Sequence, residues 1–263
     1  MDTEKYINPN YKSDENTCSD LETLNQKKEN LSNFNLNKAN LENINLVEAV
    51  MKNADLSRSN LRNASLYGID LSETNLFKAN LENANLNNAN LENCNLLGVN
   101  FTNTKLKNIN WGKNYKVINE LEAEEAYKNG QYDIANKKYK EAEDIYRNIK
   151  ISMQTQTLGN DTGEFFIREM ITKRKQLNKY SAQRIGSKII EITTGYGEKL
   201  KNIICTVLGI IITCMILYGI EGVKYNDPIY GERIIGFFGE DFEKFGLLNT
   251  IGNLFYFSVV VYS

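Results

Sequence analysis

The chain has 263 residues, a net charge of −2 and no histidine. A balance this close to neutral gives no global bias toward nucleic acid or an anionic surface. The missing histidine excludes Ser-His-Asp and Cys-His nucleophile systems, histidine-ligated zinc and the usual neutral-pH proton shuttle. Cys18, Cys94, Cys205 and Cys214 show no metal-ligand spacing, and two of them lie in an apolar run. Neither a disulfide framework, a metal site nor a cofactor is expected.

Residues 1–28 are polar and carry no charged stretch followed by an apolar one, so no signal peptide is expected there. They are expected to be a mostly disordered lead-in.

From residue 29 to about 115 the chain repeats itself every five residues. The central apolar position runs Leu31, Leu36, Leu41, Leu46, Met51, Leu56, Leu61, Leu66, Leu71, Leu76, Leu81, Leu86, Leu91, Leu96, Phe101, Leu106 and Trp111, seventeen positions without a slip. Two residues before most of these sits a small one, such as Ala39, Ala54, Ser59, Ala64, Ala84 or Cys94, and between the two lies mostly asparagine or aspartate. Period five fits neither a helix at 3.6 nor a strand at 2. Asparagine at this frequency weakens a helix and suits turns. A chain that turns a corner every five residues satisfies both facts. Four corners close a square coil, and coils stack by backbone pairing at about 4.8 Å, giving roughly four coils in a rod about 20 Å long. Leucines and the small residues face inward.

The pattern resembles the pentapeptide-repeat family, A-(D/N)-L-x-x, and that resemblance implies a right-handed quadrilateral β-helix acting as a structural and interaction module. Phe34, Ile44, Ile69, Val99 and Ile109 are larger than the pattern asks, and Val50 and Lys105 break the Asn/Asp row. Trp111 is expected to plug the C-terminal end, with following helices covering the open coil edge. Some family members are acidic DNA mimics that bind topoisomerase. Here eight acids against seven bases between residues 29 and 111 leave only −1, which disfavours that role and leaves a scaffold or oligomerisation rod.

Residues 116–182 have helix-forming composition, with Leu121, Ala126, Tyr132, Ala135, Tyr139, Ala142, Tyr146 and Ile149 at helical spacing. The Ala126–Ala135 stretch around Gly130 resembles one tetratricopeptide-type hairpin, with the tyrosines as core. Asn160 or Asp161 is the expected N-cap of the next helix. Its basic end, Lys173-Arg174-Lys175, is either a solvated face or a contact for lipid headgroups.

Residues 183–202 form an amphipathic juxtamembrane segment, expected to lie along a membrane surface. Residues 203–220 hold eighteen residues without a charge, which as a helix span roughly 27 Å and predict a transmembrane segment. Arg184, Lys188, Lys199 and Lys201 precede it, while Lys224 and Arg233 follow. The positive-inside rule therefore predicts a single-pass cell-membrane protein with its N-terminal domain cytoplasmic. Thr193-Thr194-Gly195-Tyr196-Gly197 looks like a potassium filter but has no apolar pore helix before it, and is expected to be a glycine-rich hinge.

Residues 221–246 are expected to be an extracytoplasmic loop, and residues 247–263 a truncated pore-helix-like segment. Phe255, Tyr256, Phe257, Ser258 and Val259, with Leu254 and Val260 around them, resemble the pore-helix lead-in of two-span potassium-channel modules. The filter that such a lead-in would introduce does not follow, so no conduction by this chain alone is expected. The predicted fold class is thus mixed, a quadrilateral β-helix followed by an α-helical linker and a transmembrane helix. The expected partners are the lipid bilayer and either a partner protein or a homo-oligomer, a tetramer in the channel-like case, with no nucleic acid. The alternative is a peripheral or soluble protein-interaction module with no transport role. No carboxylate pair, phosphate loop or nucleophile motif points to an enzyme.

Overall fold

A computed structural model describes residues 3–156, 159–227, 231–235, 237 and 250–256. The chain divides into two compact units, Met1–Lys188 and Ile189–Ser263.

The first unit is built on the repeat. Isolated parallel bridges join residues 20 apart, from Asn35↔Asp55 through Asn90↔Asn110, so four five-residue sides make one coil. We number the coils 1–4 over residues 31–50, 51–70, 71–90 and 91–110. Each side repeats one hydrogen-bond scheme. The central leucine donates to the next coil, as Leu36 N to the Asp55 carbonyl at 2.7 Å, and the bridge residue donates to the previous one, as Asp55 N to the Phe34 carbonyl at 2.9 Å. A turn bond then closes the corner, as Ala39 N to the Leu36 carbonyl at 3.0 Å.

All seventeen central residues are buried, and from Phe34 onward so are the residues two places before them. The outsized members of the second row fall mainly in the end coils. Phe34 and Ile44 belong to coil 1, Val99 and Ile109 to coil 4, and only Ile69 is internal. Three residues of this inner row use the neighbouring coil's carbonyls: Thr74 Oγ1 donates to Met51 O at 2.9 Å, Thr104 Oγ1 to Leu81 O at 2.7 Å, and Cys94 Sγ to Leu71 O at 2.8 Å, while Ser59 Oγ donates within its own corner to Leu56 O at 2.7 Å. Burial pushes the Cys94 thiol up to about 12, leaving it an inert packing group.

Within the expected disordered lead-in of residues 1–28, the described residues 3–28 are ordered. Helix α1 (Glu4–Ile7) and helix α2 (Thr17–Gln26) bury Tyr6, Leu21 and Leu24 over coil 1. The expectation failed because polar composition hid three well-placed apolar side chains; Tyr6 stacks on Phe34 with ring centres 4.9 Å apart.

Beyond the β-helix come α3 (Ile118–Lys128), α4 (Tyr132–Gln154) and α5 (Gly159–Lys175). Gly130, at φ +76°, ends α3, and Gln131 N bonds back to the Ala126 carbonyl at 2.9 Å. Tyr139 and Tyr146 are buried, whereas Tyr132 is 58% exposed. Helix α5 begins at Gly159, so Asp161 lies in its first turn rather than at the N-cap and accepts a 2.9 Å hydrogen bond from the Tyr115 hydroxyl.

In the second unit, helix α6 (Ala182–Thr194), which starts within the first unit, leads through a 3-10 turn at Gly195–Gly197 into α7 (Leu200–Glu221). Asn202 Nδ2 and Thr206 Oγ1 hold the carbonyls of Ile192 and Thr193 at 3.2 and 2.9 Å, so the expected hinge is a clipped turn. Gly195 is required there because a Cβ would lie 2.7 Å from Lys199 Cγ. The 221–246 stretch is not simply a loop: strand β1 (Val223–Asp227) pairs antiparallel with strand β2 (Gly231–Ile235), from Val223↔Ile235 to Asp227↔Gly231. Val223, Tyr225, Ile234 and Ile235 are residue types that favour strands. Residues 250–256 are helical; Phe255 and Tyr256 are exposed, and Phe257, Ser258 and Val259 lie outside the described residues.

Truncating one inner leucine leaves a void that four rigid sides resist filling. Leu76→Ala should therefore cost about 2–5 kcal/mol, seen as a lower thermal midpoint by circular dichroism. An unchanged midpoint would mean that the coils are not close-packed.

Candidate interaction surfaces

A stack of coils has two ends and four sides. Each end exposes unpaired backbone donors and acceptors that would template association with another edge. At the N-terminal end, Asn35 N donates to the Tyr6 carbonyl at 2.6 Å and Asn45 N to Glu22 Oε1 at 2.8 Å. At the other end α4 crosses coil 4. Asn148 Nδ2 donates to Val99 O at 2.7 Å and Gln156 Nε2 to Thr104 O at 2.5 Å, while Gln156 Oε1 accepts from Leu106 N at 3.2 Å. Trp111 meets Phe165 edge-on at 5.1 Å. One core runs from Tyr6 through the leucines to Ile149, Met153 and Phe165. Both ends are closed, so only the sides and the helical cap remain for partners.

The C-terminal cap is locked by buried carboxylates. Glu120 of α3 is fully buried and accepts from the Tyr146 hydroxyl at 2.6 Å, which itself accepts from Val117 N at 3.0 Å. Burial and the neighbouring carboxylate push the Tyr146 phenol far above its ordinary value. Lys175 reaches Glu124 at 2.6 Å and Glu120 at 3.5 Å, and Arg174 is buried. Two residues of the basic run Lys173-Arg174-Lys175 thus turn inward, and neither the solvated-face nor the lipid-contact reading describes them. Glu169 of α5 is similarly held by Arg147 at 3.1 Å and Lys150 at 2.6 Å.

The sides carry two distinct asparagine rows where the sequence suggested one. In the bridge row, side chains hydrogen-bond coil to coil, as Asn60 Nδ2 to Asn40 Oδ1 at 3.0 Å and Asn100 Nδ2 to Asn80 Oδ1 at 2.9 Å. Val50 and Lys105 interrupt this row yet still pair through their backbone. The second row is the third residue of each turn, where φ is left-handed, from Asn33 at 65° to Asn108 at 58°. Asparagine and glycine tolerate that conformation best. The recurrence of asparagine two places after the leucine was visible in the sequence as its signal.

Some charges on the sides pair, across coils or within one. Arg62 sits between Glu42 at 3.8 Å and Glu82 at 3.4 Å, and Lys52 meets Asp70 at 3.1 Å. Open grooves lie among the described residues of this unit. One, of about 950 Å³, is lined by Tyr11, Lys12, Asn35, Asn37, Lys38 and Asp55. Another, of about 480 Å³, is lined by Tyr127, Tyr132, Lys175, Lys179, Tyr180 and Arg184. Among the described residues no group of three or more His, Cys, Asp or Glu side chains could hold a metal ion.

Residues 30–63, 54–93 and 74–110 match the family described as Pentapeptide repeats, in eight copies. Among solved structures, a pentapeptide repeat protein (Rfr23) from the cyanobacterium Cyanothece 51142 is 46% identical over 31% of this chain and 56% of its own, with a TM-score of 0.31. Alr5209, a pentapeptide repeat protein from Nostoc PCC 7120, is 35% identical over 34% of this chain and 73% of its own, with a TM-score of 0.31. HetL, a pentapeptide repeat protein of Nostoc sp. strain PCC 7120 involved in heterocyst differentiation regulation, is 30% identical over 31% and 38%, with a TM-score of 0.30. The chain thus spans about half of the first and under two fifths of the last. No match was found among curated proteins. Sequence identity and the repeat profile, rather than overall superposition, carry the assignment: through residues 30–110 the chain belongs to the pentapeptide-repeat proteins, whose fold is a right-handed β-helix.

The lock on the cap predicts a pH response. Burial alone would raise the Glu124 carboxyl, but hydrogen bonds from Lys116 and Lys175 outweigh it and hold the group below its ordinary value of 4.5. A depressed carboxylate contributes its stability above the unfolded value and loses it as pH falls through the folded one. The helical signal should therefore melt at lower temperature as pH drops below 4.5, and Glu124→Gln should flatten part of that decline. A melting temperature independent of pH between 7 and 3 would remove this lock from the account.

Proposed function

We propose that this protein is a membrane-anchored interaction scaffold, with the β-helix and its caps in the cytoplasm and α7 crossing the bilayer. One observation carries the reading: a rod closed at both ends is followed in the chain by a 22-residue apolar helix whose side chains stay exposed, Ile204, Val207, Leu208, Ile212 and Leu217 among them. In water such a surface calls for a cover, and a lipid bilayer supplies it along the whole helix. Ile185, Ile189, Ile190 and Ile192 of α6 are also exposed, which suits a helix lying at the lipid interface. The excess of Lys and Arg before α7 favours a cytoplasmic rod.

Within this proposal α7 corresponds to the outer helix of a two-span potassium-channel-like module and residues 250–256 to the start of a pore helix, with a tetramer as the assembly that such a module would take. Conduction by this chain alone is not part of the proposal. Its Gly195-Tyr196-Gly197 segment is a turn ahead of α7, where it cannot form a ring of carbonyls at the end of a pore helix. The rod has no assigned chemistry of catalysis and serves by binding. The second reading, a peripheral or soluble scaffold, needs another protein to cover α7.

Membrane fractionation separates the two. The full chain is expected to stay in the membrane pellet through washes with high salt and alkaline carbonate and to leave it only in detergent. Release into the supernatant by either wash would establish the peripheral reading instead.

A further inference from the structure

One edge of the β-helix departs from the others in two independent ways. The first is backbone strain. The left-handed third turn position holds asparagine or glycine at most corners, as at Asn43, Asn63, Gly68, Asn83 and Asn103. On the edge that follows Leu36, Leu56 and Leu76 it holds Lys38, Arg58 and Lys78, at φ 60°, 59° and 57°. Longer side chains occupy this conformation at a cost that asparagine and glycine largely avoid. Asparagine at the same position of other edges also adds coil-to-coil hydrogen bonds, such as Asn53 to Asn33 at 2.8 Å and Asn63 to Asn43 at 3.1 Å. Lysine and arginine give those up.

The second is charge. These three cations stack one above another at 20-residue spacing, hence about 4.8 Å apart along the rod. Like charges placed directly opposite are destabilising. Elsewhere on the rod some charged side chains meet opposite charges, as Arg62 meets Glu42 and Glu82, and no other edge stacks three like charges. Among the described residues no carboxylate lies within ion-pair distance of Lys38, Arg58 or Lys78. Cation–π contacts of Lys78 and Arg58 with Phe77 offset these costs only in part, and backbone strain of this kind clusters at functional positions.

The neighbours of the column shape it as a strip. Half-buried Phe77 lies beside it with Lys78 Nζ 5.2 Å and the Arg58 guanidinium 5.9 Å from the ring centre, which orients both heads. Leu97 continues the apolar row in coil 4. Gly98 ends the cationic column, and a Cβ there would sit 3.1 Å from Lys78 Cγ. At the other end the groove of about 950 Å³ adds Lys12 beside Lys38.

We propose that this edge docks a short, extended, acidic peptide segment of a partner protein, its carboxylates on Lys38, Arg58 and Lys78 and an apolar side chain on Phe77 and Leu97. The proposal rests on the scaffold reading of the rod but not on the membrane anchor, so fractionation and the test below fail separately. A nucleic acid fits less well. The strip is only about 10 Å long, the next side carries Glu42 and Glu82, and Phe77 and Leu97 offer nothing to a phosphate backbone.

The test uses the full chain in zwitterionic detergent micelles and, as probe, a fluorescein-labelled peptide of glutamates around one phenylalanine, followed by fluorescence anisotropy. Saturable binding is expected, weakened roughly ten-fold or more in the Lys38→Asn, Arg58→Asn, Lys78→Asn triple variant. That variant should also melt at or above the wild-type temperature, since strain and repulsion are both relieved. Lys105→Asn with Lys107→Asn should leave binding unchanged. Absence of binding to the wild type, equal binding by the triple variant, or a fall in its melting temperature accompanying the loss would each overturn the proposal. So would tighter binding of an oligothymidylate of equal charge.

Discussion

Backbone hydrogen bonds between residues about one 20-residue coil apart are the constraint on which the rest of the first unit depends. Each side donates to and accepts from both neighbouring coils, so a residue at a given corner must recur at that corner one coil later. An inserted residue would shift every later leucine off the axis. The unbroken series from Leu31 to Trp111 is the sequence form of that constraint. The same register stacks like with like on the outside, which builds asparagine ladders where the side chains can bond and concentrates strain and repulsion where they cannot.

A stacked coil solves its interior by repetition but leaves its two ends unsolved. Each buried backbone group left without a partner costs about 1–3 kcal/mol, and an open edge invites pairing with another chain. Here both ends are finished by non-repeating segments that supply the missing partners: the Tyr6 carbonyl and Glu22 carboxylate at one end, Asn148 and Gln156 at the other. The larger inner residues gather at these ends because the interior there meets rings and helices instead of another coil. Phe34 under Tyr6 is the clearest case. Closing the ends removes head-to-tail stacking and assigns recognition to the sides, where chemistry can vary without disturbing the register.

The rod was legible in the sequence because its signal is periodic and was read over seventeen repeats. The caps were not, since each contact is made once and leaves no pattern. Tyr6, Leu21 and Leu24 are scattered in a polar stretch, and their burial becomes visible only when coil 1 is in place. Lys175 looked like part of a basic surface because its partners Glu120 and Glu124 lie some fifty residues earlier. The pairing of β1 with β2 was hidden by glycines that suggested a loop. The cationic column was present in the sequence as Lys38, Arg58 and Lys78 at intervals of 20, but it acquires meaning only with the coil length and the left-handed φ at those positions.

The central claim is that the β-helix is closed at both ends by segments of its own chain. Amide hydrogen exchange tests it most directly at Asn35, Asn45 and Leu106, whose N–H groups are paired by cap residues rather than by another coil. Exchange at these three amides as slow as at Leu66 in the middle of the rod is the expected result. Fast exchange at them beside a slow centre would show frayed, uncapped ends and contradict the account.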